Sequence, residues 1–133
     1  MNRLYVIAGA LTLGVLVAVA SVEAQGKKAA SVKAVMKACH GKDGFRAKLQ
    51  AALKEKSWDK ASKVAKDYAA CWDNMNMNEP KKGEKESWEK LNNAYGKALA
   101  TLQDACKDED AAKANGALGY IAKSCKGCHD EHK

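Results

Sequence analysis

The 133-residue chain has a single proline, a single phenylalanine and three histidines. Beyond its first two dozen residues it also lacks any segment with the apolar-polar alternation of a strand. With strand formers and breakers both scarce, a composition rich in Ala, Lys, Leu and Glu leaves helix as the expected local state. Negative charge is short as well: 16 Asp and Glu stand against 23 Lys and Arg, a formal charge of +7. The lysines are spread along the chain without a compact basic cluster, so nucleic acid is not an expected partner. An excess of this kind favours acidic protein surfaces and speeds encounter with them.

A long apolar run occurs once. Met1-Asn2-Arg3 is followed by Leu4 to Ala20, apolar except at Thr12, and then by Val22-Glu23-Ala24 with small residues where a leader is cut. Residues 1–24 are therefore expected to be a cleaved signal peptide, the alternative being a retained membrane anchor. Residues 25–133 keep a charge of +7, because the leader takes away one Arg and one Glu. They suffice for one small domain, which after cleavage is not expected to bind membrane.

Four amphipathic segments follow. Ala61, Ala65, Tyr68 and Trp72 recur at helical spacing after Trp58 in the second, and Trp88, Leu91, Tyr95, Ala98 and Leu102 in the third. Ala114, Leu118, Ile121, Cys125 and Cys128 form the stripe of the fourth, which Asp108 is placed to cap. The first, about Ser31 to Leu53, is weakened at Gly41 and Gly44. Short breaks near Lys56 and Asp108 imply antiparallel neighbours, so the expected fold is all-α, an up-down-up-down antiparallel four-helix bundle.

The fourth stripe carries chemistry. Cys125-Lys126-Gly127-Cys128-His129 is a C-x-x-C-H pentapeptide. Two thiols at this spacing add to the vinyl groups of haem, and the adjoining imidazole coordinates iron, so the motif points to one covalent haem c. Zinc half-site and thiol-redox readings remain as alternatives. Zinc would need four ligands, and Cys39, His40 and His132 form no second close pair. On a helix, residues three and four apart share a face, so Cys125, Cys128 and His129 are expected to point together toward the bundle interior. No acid-base or nucleophile constellation accompanies them, so an electron carrier is expected rather than an enzyme.

At this point the sequence resembles the class II cytochromes c, the group of cytochrome c prime and its low-spin relatives. The resemblance rests on AAKANGALGYIAKSCKGCHDEHK at the C-terminus, AVMK at Ala34 to Lys37, and ESWEKLNNAYGKAL in the third segment. It implies a four-helix bundle with one haem c over residues 25–133 and His129 as proximal ligand; the leader and the haem motif together imply a periplasmic or equivalent oxidising location, and electron transfer is the expected role. Low-spin members take a sixth ligand from a methionine of the first helix, and Met36 occupies the matching place; high-spin members leave that side open to NO or CO. Homodimers also occur in the family. The chain departs from the family in ending Asp130-Glu131-His132-Lys133, where relatives carry an aromatic residue and an arginine. A helical protein without haem, metal-binding or structural, is the remaining alternative.

Other residues compete for roles. His40, one turn after Met36, is the rival axial or supporting group. Lys123 before the motif and Lys126 within it surround the expected haem edge and are candidates for docking an acidic redox partner. Cys39 near the start of the first segment and Cys71 near the end of the second fall at one end of an antiparallel pair. A Cys39–Cys71 disulfide is therefore expected, with Cys106 free, the alternative being three buried thiols acting as small hydrophobes.

Overall fold

The computed structural model describes residues 29–133, so the expected signal peptide lies outside the described residues. Five helices follow one another: α1 (Val32–His40), α2 (Phe45–Lys54), α3 (Trp58–Asn76), α4 (Lys85–Lys107) and α5 (Ala111–His132). The fold is all-α, with sequential antiparallel packing consistent with an up-down four-helix bundle whose first helix is broken into α1 and α2. No helix among the described residues is long and apolar enough to cross a membrane.

The break has a steric cause. The chain turns so tightly after α1 that a Cβ at Gly41 would lie 2.4 Å from the Lys37 carbonyl oxygen, and one at Gly44 2.8 Å from that of Ala38. Only residues without side chains fit both positions. The first segment is thus two helices, parted at the two glycines where the sequence is weakest. Ser31 starts α1, its Oγ accepting from the Ala34 N–H at 3.3 Å.

The two short turns use left-handed residues that are not glycine, Lys56 (φ 54°) before α3 and Glu109 (φ 56°) before α5. In each the following N–H reaches back to a helix carbonyl, Ser57 to Ala52 and Asp110 to Ala105, both at 2.9 Å. The cap of α5 is therefore Asp110, accepting from the Lys113 N–H at 2.9 Å, and not Asp108, which ends α4.

The core follows the expected stripe on α3 from Ala61 to Trp72, Trp58 being only partly buried, and that on the first half of α5, where Ala114, Leu118 and Ile121 are buried. On α4 the buried stripe includes Asn92 in place of Leu91, and Asn92 Nδ2 donates to the Trp88 carbonyl at 2.8 Å. α3 packs on α1, α2 and α4, and α4 packs on α5. The backbones of α1 and α5 are not closely packed, although bundle order makes them neighbours.

Candidate functional site

Between α1 and α5 lies a cavity of about 400 Å³. Its walls are apolar: Val32 and Met36 from α1, Trp72 and Met75 from α3, Trp88 from α4. Cys128 and His129 face it from α5, and Lys33, Lys81, Lys82 and Lys133 line it together with Glu79. A smaller pocket of about 40 Å³ shares Met36, Trp72, Cys128 and His129 and adds His40 and Cys125. Met36, Cys125, Cys128, His129 and His40, which the sequence singled out on separate segments, thus line adjoining spaces. Their setting is more open than a buried stripe implies. The closed part of α5 ends at Ile121; Cys125 and Cys128 are half-buried and His129 is exposed, because α1 stands off from this half of α5. Burial, with the neighbouring Cys125 and Glu131 charges, raises the Cys128 thiol pKa.

A buried polar chain ends beside the smaller pocket. The Tyr68 and Tyr95 hydroxyls are 2.5 Å apart, and the Tyr95 hydroxyl is 2.8 Å from His40 Nε2. Burial raises both phenol pKa values. It also lowers that of His40, with the Arg46 and His129 charges adding to the effect, which favours a neutral imidazole. The arrangement that uses both phenol protons runs Tyr68 to Tyr95 to His40 Nε2 and puts the imidazole proton on Nδ1, which is buried without a partner. Trp72 stacks on Tyr95 with ring centres 3.6 Å apart, and its indole Nε1 is likewise buried and unpartnered.

His132 plays a part that the sequence did not reveal. Its Nδ1 is 2.8 Å from the Lys82 carbonyl, and its ring meets Trp88 edge-on at 5.3 Å. Gly83 (φ +79°) lies directly beneath, where a Cβ would sit 2.7 Å from both the Glu131 carbonyl oxygen and the imidazole. Ser87 also bonds Glu131, and the Trp88 indole donates to the Asn78 carbonyl at 2.9 Å. The connection between α3 and α4 is thereby fastened to the end of α5, and its Glu79 to Lys82 stretch walls the larger cavity.

Cys39 and Cys71 stand with their sulfur atoms 3.5 Å apart as free thiols, and Cys106 is a separate buried thiol. Lys126 pairs with Asp130 on α5 itself, and neither it nor Lys123 lines the cavities. Among the described residues no group of three or more His, Cys, Asp or Glu is disposed to hold a metal ion, so the four-ligand zinc arrangement is not assembled there. Compared with protein-family models, curated proteins and solved structures, the chain matches none.

Proposed function

We propose that this chain is an exported, single-haem c-type cytochrome that carries electrons. The observation that supports it best is the convergence on one cleft of Cys128 and His129 from α5 and Met36 from α1, with Cys125 in the adjoining pocket. Size and lining agree: about 400 Å³ is within the range of ligand pockets, and aromatic and thioether walls with a lysine rim suit a flat apolar molecule bearing acidic groups. Cys125 and Cys128 would hold the haem through thioethers, His129 and Met36 would be the axial ligands, and His40 is the rival for the Met36 position. When bound, the haem supplies a one-electron Fe(III)/Fe(II) couple. The protein's own groups bind it, orient the ligands and keep water from the apolar side. Export to an oxidising compartment such as the periplasm follows from the expected leader, and the +7 charge suits an acidic redox partner.

A second reading, a five-coordinate haem that binds NO or CO, draws on a different observation. Met36 is only half-buried, on a nine-residue helix that packs against α3 rather than α5. Visible spectra of protein made in a haem-attaching host decide between them. Sharp reduced bands, a weak far-red sulfur-to-iron band and indifference to CO are expected for His129/Met36 ligation. A broad spectrum that shifts with CO would establish the gas-binding reading, and loss of haem on a denaturing gel would refute both.

A further inference from the structure

Cys39 on α1 and Cys71 on α3 are 32 positions apart in sequence, yet their sulfur atoms are in contact at 3.5 Å. The two thiols differ in access. Cys39 is fully buried, whereas Cys71 is half-buried. We propose that this pair is an oxidisable dithiol that closes into an α1–α3 cross-link beside the cleft, with Cys71 as the entry thiol and Cys39 as the resolving one. The proposal goes beyond the cofactor reading above and does not depend on it.

The chemistry needs a small disulfide as oxidant. Cys71 loses its proton to solvent and attacks the oxidant, breaking its S–S bond, releasing one thiol and leaving a mixed disulfide on Cys71. Cys39 then loses its proton and attacks the Cys71 sulfur, displacing the second thiol. Two electrons pass from the pair to the oxidant, and two small thiols result. Cys39 is fully buried and Cys71 is not, so a dissolved disulfide reaches Cys71 first. Bond formation asks the sulfur atoms to approach from contact to about 2.0 Å, within reach of a small side-chain rotation.

The position gives the bond a structural effect. α1 packs on α3 and α2, its buried contacts are Val35 and Cys39, and it carries Met36 and His40 into the cleft. A link through Cys39 ties the cleft-facing helix to α3, which packs on α1, α2 and α4.

The test uses the full chain treated with oxidised glutathione, alkylated under denaturing conditions and digested with trypsin. Each cysteine falls in its own peptide; those of Cys39 and Cys71 span residues 38–42 and 67–81. The expected result is a disulfide-linked pair of these two peptides, with Cys106 alkylated. Bridging should raise the melting temperature by roughly 10 °C over the reduced chain and slow amide exchange across α1. C71A should abolish the linked peptide and the oxidant-dependent shift, while C106A keeps both. Glutathione retained on Cys71 with Cys39 free, a link through Cys106, or two unreacted thiols would each overturn the proposal.

Discussion

Replacing Tyr95 by phenylalanine removes one oxygen and keeps the ring stacked on Trp72. That oxygen lies in the core between two partners, the Tyr68 hydroxyl at 2.5 Å and His40 Nε2 at 2.8 Å. Y95F leaves a buried donor on Tyr68 and a buried acceptor on His40, each costing about 1–3 kcal/mol when unpaired. Removing the Tyr95 hydroxyl itself returns part of this, so the expected net loss is about 2–4 kcal/mol. Y68F breaks only the outer bond, because Tyr95 still donates to His40, and about 1 kcal/mol is expected. The double variant should cost less than the sum of the two, since no phenol donor is then left stranded. Urea unfolding followed by circular dichroism measures all three, and Y95F should lower the midpoint by roughly 1–2 M. A Y95F loss below about 0.5 kcal/mol would refute the buried chain. Equal losses for Y95F and Y68F would reverse its direction and put the imidazole proton on Nε2.

Two further predictions concern neighbouring elements. The folded-state pKa of His40 lies below its ordinary 6.5, through burial first and then the Arg46 and His129 charges. The unfolded chain therefore takes up this proton at a higher pH than the folded one. The His40 contribution is present above pH 6.5 and is lost as pH falls from there through the folded-state value, so the unfolding free energy should decline over that window. H40Q should flatten this part of the profile, and an unchanged slope would contradict the assignment. G83A forces a Cβ against the Glu131 carbonyl and the His132 ring in a left-handed conformation, so a loss of about 1–3 kcal/mol is expected, with faster amide exchange in the connection between α3 and α4.

Helical spacing in the sequence indicated the all-α bundle because the Ala, Trp and Tyr stripes repeat clearly. It also brought Cys39 and Cys71 to one region, since antiparallel order alone decides that. Where it failed, short-range geometry competed with pattern. Asn92 occupies a core position suited to Leu91 because a bond to the Trp88 carbonyl one turn earlier satisfies its amide. Asp108 looked like a cap, but the left-handed Glu109 moves the start of α5 on to Asp110. His132 was out of reach for any pattern, because its partner carbonyl on Lys82 is 50 positions upstream. The C-x-x-C-H motif was plain, but the exposure of His129 was not, since it follows from where α1 ends and turns.

The separation of α1 from α5 bears on how the molecule matures. Three seams of the bundle are made by helix packing, whereas α1 and α5 face each other across a cavity. A group attached to α5 that also touched α1 would add contacts found in the native state alone, since the unfolded chain presents no such surface. The chain lacking such a group would be the less stable species and the one more readily taken by proteases.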